Sequence, residues 1–152
     1  VKSQGLVNPK FNFFKYKEFV VSSKFPELAK KITLSKENEQ CIRLLCDSVL
    51  IPVRARFGLT IIESGKRSEE LNKQVGGSPK SQHIDATAAD IRSSLAENLE
   101  IFKWIHGQKL PFRQLIYYEK TNGLHVSINV PWRTFKNEVF IFRKNGEKET
   151  WS

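Results

Sequence analysis

Ile42, Leu45, Val49, Val53 and Phe57 recur every three to four residues, the spacing of one apolar helix face, and predict a long helix from Lys36 to Phe57. Ser35 supplies an N-cap hydroxyl and Gly58 a stop. Pro52 has no N–H and its ring crowds the preceding turn, so a kink or break is predicted after Leu50. Leu95, Leu99, Phe102 and Ile105 mark a second amphipathic helix, in which His106 reads as a C-terminal cap favoured by the helix dipole. Between the helices, the β-branched run Leu59 to Glu63 predicts a strand, Glu69 to Gln74 a short helix closed by Val75-Gly76-Gly77, and Ala86 to Ile91 a tightly packed strand. Later come strands at Gln114 to Glu119, Leu124 to Val130 and Glu138 to Phe142, with turns at Asn122-Gly123 and Asn145-Gly146. Phe11, Phe13, Phe14, Tyr16, Phe19 and Phe25-Pro26 predict short helices or turns packed over the core. Helices first and strands late make an α+β domain, with helices packed on a small antiparallel sheet.

The length, 152 residues, fits one domain: an N-terminal flap (1–34), a core (35–130) and a C-terminal hairpin (131–152). With 11 Phe and 3 Trp the chain can bury a real core, so disorder is excluded. No apolar run reaches the roughly 18 residues of a membrane span. Val1-Lys2-Ser3-Gln4-Gly5 lacks the apolar stretch of a signal peptide, so export is expected to be absent, indirect or already trimmed, and the absence of Met suggests a removed initiator. A net charge of +9 favours polyanionic partners. The basic residues are scattered (Lys15, Lys17, Lys30, Lys31, Arg54, Arg56, Lys144), which fits cell-wall polymer or a membrane surface as well as nucleic acid, and no specific nucleic-acid role is expected. Cys41 and Cys46 lie about 140° apart around a helix, facing different ways, and read as small buried hydrophobes.

The chemistry gathers in two segments. Ser81-Gln-His83-Ile-Asp-Ala86-Thr-Ala88-Ala-Asp90 holds one imidazole and a carboxylate, and Leu124-His125-Val-Ser127 holds a second imidazole inside an apolar strand. Two imidazole nitrogens and a carboxylate oxygen are a ligand set for a catalytic zinc with its fourth position open to water. His83 and Asp90 are too far apart for one helical turn, so a loop leading into a strand must bring them together.

Ile61-Ile-Glu63-Ser-Gly65-Lys-Arg67-Ser68, Leu71-Asn72, Val75-Gly-Gly-Ser78, Ser81-Gln-His83 and Asp90 together resemble the zinc D-Ala-D-Ala carboxypeptidases of peptidase family M15, with their phage endolysin and tail-associated members. The resemblance covers roughly Phe13 to Val130 and implies a fold similar to the Hedgehog signalling domain and the DD-peptidases. It implies one zinc ion held by His83, Asp90 and His125, and an Arg67 that clamps the oxyanion formed when an amide carbonyl is attacked. Ser81 would sit at the pocket rim and hydrogen-bond the substrate, while Ser78 and Gln82 would only shape the loop. The implied substrate is the stem peptide of peptidoglycan, cut by a monomer acting as a D-Ala carboxypeptidase or an L-Ala–D-Glu endopeptidase at the bacterial wall or periplasm. Three departures stand out: Ala86 replaces a glycine, Lys66 an aromatic residue and Leu124 a tryptophan.

A zinc peptidase also needs a proton acceptor. Relatives place an acid three residues before the last histidine, where this chain has Asn122. Glu119 is therefore the expected base, with Asp85 in reserve. A two-residue turn at Asn122-Gly123 would face Glu119 away from His125, and a three-residue loop would face it towards the metal. Tyr117, Tyr118 and Trp132 flank the site and could line a groove. Two rival readings remain: a zinc-bearing binding module without turnover, and a basic nucleic-acid binder.

Overall fold

The computed structural model describes residues 5–152; Val1 to Gln4, most of the stretch read for a signal peptide, lie outside the described residues. Strands β1 (Leu6–Asn8) and β2 (Phe11–Lys15) form a hairpin, followed by a 3-10 turn (Tyr16–Phe19) and the short α1 (Pro26–Lys30). The aromatic cluster expected in helices or turns is thus partly β. Phe14 and Phe19 do pack into the core, while Phe11 and Phe13 stack on the outer side of the hairpin, 5.7 Å between ring centres. That in–out alternation is the period of a strand.

The predicted long helix forms as α2 (Lys36–Leu45), a π turn (Cys46–Leu50) and α3 (Ile51–Phe57). Ser35 caps it as expected: its hydroxyl accepts from Asn38 N at 3.0 Å, and Asn38 Oδ1 accepts from Ser35 N at 3.1 Å. The widened turn ends just before Pro52, absorbing the missing N–H by local unwinding instead of a break. Cys41 and Cys46 are free and buried.

β3 (Thr60–Ser64), α4 (Glu69–Gln74), β4 (Ala88–Ser93) and α5 (Asn98–Gly107) follow. Leu95, expected on the second helix, precedes it and is 76% exposed. β5 (Gln114–Tyr118), β6 (Gly123–Ser127), β7 (Glu138–Phe142) and β8 (Lys148–Trp151) complete a six-stranded sheet in the order β3-β4-β6-β5-β7-β8. The sheet is mixed, because β5 and β7 run parallel while its other neighbours are antiparallel. The molecule is a single small α+β domain, and no helix among the described residues is long and apolar enough to cross a membrane.

Strand alternation divides the work. Ala89, Ile91, Leu115, Tyr117, Leu124 and Val126 join the core with Ile42, Leu45, Val49, Ile101, Phe102 and Ile105 from the helices. Their neighbours in sequence, Asp90, Ile116, Tyr118 and His125, line a cleft of about 890 Å³ on the other side. The helices therefore bury one face of the sheet and leave the other for chemistry.

Ala86 has a φ of 64° and is buried. This is left-handed backbone, where a Cβ costs about 1–2 kcal/mol, which accounts for the glycine of the resembled motif. Ala86→Gly removes that cost but also a buried methyl, about 0.8 kcal/mol, and adds freedom to the unfolded chain. The effects oppose, so denaturant titration should find Ala86→Gly within about 1 kcal/mol of the parent and Ala86→Val, β-branched at positive φ, at least about 2 kcal/mol less stable.

Candidate metal centre

Asp90 and His125 are a cross-strand pair of β4 and β6, and Ser64 lies across from Asp90 on β3, after a bulge. Cross-strand partners share a face, so Ser64, Asp90 and His125 form a row on the cleft side. His83 arrives from the loop between α4 and β4. Its carbonyl accepts from Arg67 N at 2.9 Å and from Ala86 N at 3.3 Å, and Thr87 O accepts from Ile128 N at 3.0 Å. These bonds tie the loop to the sheet and to the arginine segment at once.

His83 Nε2 and His125 Nδ1 each lie 3.2 Å from Asp90 Oδ1, and one ligand atom from each of the three residues falls within 4.8 Å of the others. The outward nitrogens are engaged elsewhere. His83 Nδ1 lies 2.8 Å from Gly65 O, a carbonyl that can only accept, so this nitrogen carries the proton and Nε2 presents a lone pair to Asp90. His125 Nε2 faces Gln82 Oε1 at 3.2 Å, which likewise leaves Nδ1 as the lone-pair atom. Two lone pairs and a carboxylate oxygen thus converge without a donor among them, an arrangement that a cation satisfies. This buried group could bind a metal ion.

Electrostatics favour the same occupancy. Burial lowers the His125 pKa, and the nearby His83 and Arg67 reinforce this against the pull of Asp90, which favours the neutral ring a metal requires. Burial opposes ionisation of Asp90, but in the metal-free state, where the rings can carry the protons that a metal would displace, the charge of His83 and hydrogen bonds from both imidazoles outweigh it and hold the carboxyl far below its ordinary range.

Arg67 stands beside the triad. Its Nη2 is 3.6 Å from Asp90 Oδ2, its Nε donates to Ser64 Oγ at 3.1 Å and its Nη1 to Asn72 Oδ1 at 3.1 Å. Asn72, buried on α4, also donates from Nδ2 to Ser78 O at 2.8 Å, linking the guanidinium to the loop. Gly77 makes room for this, since a Cβ there would lie 2.1 Å from Asn72 Oδ1. Ser81 lines the cleft and accepts from His83 N at 3.2 Å. Lys66, the departure from an aromatic residue, donates from Nζ to Ile84 O and so ties down the same loop.

Of the expected site residues, Glu119 is the one that the structure does not bring to the cluster. β5 and β6 are joined by a four-residue loop, 119–122, with Tyr118 paired to Gly123 and Ile116 to His125, so neither anticipated turn forms. Even-numbered residues of β5 face the cleft. Glu119 turns towards the end of β7, where its carboxylate accepts from Arg143 Nη1 at 3.1 Å and Lys144 N at 2.9 Å. Asp85, the reserve, is paired with Arg133 and does not line the cleft. Asn122, at a φ of 60°, accepts from the core-side Tyr117 hydroxyl at 2.7 Å. Among the described residues the cleft carboxylates are Asp90 and Glu63, and Glu63 pairs with Arg92 at 3.3 Å.

Gln82, expected only to shape the loop, and Asn72, given no role of its own, make contacts at the cluster that the sequence does not announce. Neither has a chemical signature of its own, since an amide matters here only through the ring or guanidinium it touches.

A sequence model of the family described as "Peptidase M15" matches residues 12–127, three-quarters of the chain. Comparison with curated proteins found no match.

Gln82→Leu should weaken zinc binding about 10- to 100-fold in competition with a chelating dye, whereas Gln82→Glu, which still accepts from His125 Nε2, should bind at least as tightly as the parent. Equal affinity in all three proteins would contradict a role for Gln82 in orienting the ring.

Proposed function

The chain belongs to the peptidase M15 family, and from that premise we propose that it is a zinc peptidase cutting a peptide bond in the stem peptide of peptidoglycan. The observation that carries this reading is the convergence of His83 Nε2, Asp90 Oδ1 and His125 Nδ1, with the outward nitrogens of both rings bonded to carbonyl oxygens. Two imidazoles and one carboxylate suit zinc, while calcium and magnesium prefer all-oxygen sites.

When bound, zinc supplies an acidified water and polarises the scissile carbonyl. The chain's residues do the rest. Arg67, locked by Ser64, Asn72 and Asp90, presents fixed positive charge where the carbonyl oxygen becomes negative. Ser81 at the rim is suited to hold the peptide backbone by a hydrogen bond. Lys24 and Lys80 line the same cleft, and with the overall charge of +9 they favour an anionic wall peptide. Hydrolysis adds water across the amide: the C–N bond breaks, the acyl carbon gains the oxygen, and the amine leaves with the proton.

One observation favours a second reading, a zinc-bearing module that binds without turnover. Glu119 and Asp85 are both held in ion pairs away from the cleft, and Glu63 is paired within it.

Purified peptidoglycan or a synthetic stem peptide separates the two. The peptidase reading expects free amino groups to appear, to vanish with chelator, to return with added zinc, and to be absent in His83→Ala. Stoichiometric zinc with no amine released under any metal condition would instead establish the binding module.

A further inference from the structure

The register that removes Glu119 from the cleft puts its neighbour there. Tyr118 is two residues along β5 from Ile116, the partner of His125, and so shares the histidine's side of the sheet. It lies opposite Gly123, and a Cβ on that glycine would be 3.6 Å from Tyr118 Cδ2, ordinary van der Waals contact, so the ring rests beside β6. Phe142 on β7 stacks against the ring from its far side, with centres 5.5 Å apart and planes at 23°. The side chain is thus held between Gly123 and Phe142, on the cleft side of the sheet. It lines one cleft with Arg67, His83, Asp90 and His125.

The hydroxyl is also free. Tyr117 OH donates to Asn122 Oδ1 at 2.7 Å and Tyr16 OH to Val7 O at 3.5 Å, whereas no partner for Tyr118 OH is found among the described residues. A phenol at neutral pH is protonated and donates. Arg67, just beyond β3, and Tyr118, on β5, flank the Asp90–His125 row from its two sides.

We propose that Tyr118 is a further catalytic residue, its hydroxyl donating a hydrogen bond to the oxyanion of the tetrahedral intermediate from the wall of the cleft opposite Arg67. The assignment rests on the peptidase reading above. No proton is transferred: the O–H stays with tyrosine, and its bond to the oxygen strengthens as negative charge develops there. Such a donor accelerates the reaction because it binds the transition state better than the substrate.

Tyr118→Phe deletes one oxygen and keeps the ring on Phe142, so the fold and zinc content should hold. With a stem-peptide substrate, kcat is expected to fall about 10²- to 10³-fold with KM changed less than about threefold. A phosphinic analogue of the scissile bond, which carries the oxyanion geometry, should lose affinity in parallel. Unchanged kcat and unchanged phosphinate affinity in Tyr118→Phe, beside an active parent and a dead His83→Ala, would overturn this assignment and leave the peptidase reading standing. A kcat lost instead in Glu119→Gln, with Tyr118→Phe active, would overturn it as well. A parent protein that hydrolyses no peptide with zinc bound overturns both.

Discussion

Two imidazole nitrogens each face the same carboxylate oxygen at 3.2 Å, and neither ring, while its outer nitrogen holds the proton, has one to spare for that gap. Gly65 O and the Gln82 amide oxygen have taken those protons on the outer side. In a site where both histidines are at least nine-tenths buried, like polarity at such range is costly unless a positive charge sits between the groups. A proton shared with Asp90 can serve in the metal-free protein, and a divalent ion serves better. Much of the surrounding architecture keeps these atoms facing one another. The β4–β6 pairing fixes Asp90 against His125, the loop bonds at His83 and Thr87 fix the second ring, and Gly65 packs so closely on Phe19 that a Cβ would lie 2.6 Å from its carbonyl oxygen.

Sheet alternation extends this constraint to function. Because one face of β4, β5 and β6 is committed to the helices, every second residue must point into the cleft, whatever its chemistry. The arrangement places Asp90, His125 and Tyr118 together and sends Ala89, Leu124 and Tyr117 to the core. A polar centre can then sit a single residue away from dry packing without exposing either. Backbone strain at Ala86, on the loop that carries His83, is offset by that residue's own burial.

Residues that stand out by their own chemistry were legible in the sequence as candidates. His83, Asp90, His125 and Arg67 announce themselves by type and spacing, and the cleft holds all four. Ser35 with Asn38, the stop at Gly58 and the hairpin at Asn145-Gly146 were legible for the same reason, since local bonds decide them. Roles set by distant partners were not. The parallel pairing of β5 with β7 joins segments separated by more than twenty residues, and no local pattern encodes it. Glu119 lies off the cleft because loop length decides which face a strand residue takes, and the four-residue loop is one residue longer than the three-residue loop that would have turned it to the metal. Gln82 looked like loop filler because an amide declares nothing until the ring beside it is known.

X-ray absorption at the zinc edge of the loaded protein tests the convergence of these atoms most directly. The account predicts one zinc per chain, two imidazole nitrogens and light-atom oxygen ligands at about 2.0–2.2 Å, and no sulfur. Loss of one imidazole shell in His125→Ala would complete the expected pattern. A sulfur shell near 2.3 Å, or a spectrum with no imidazole contribution, would contradict it.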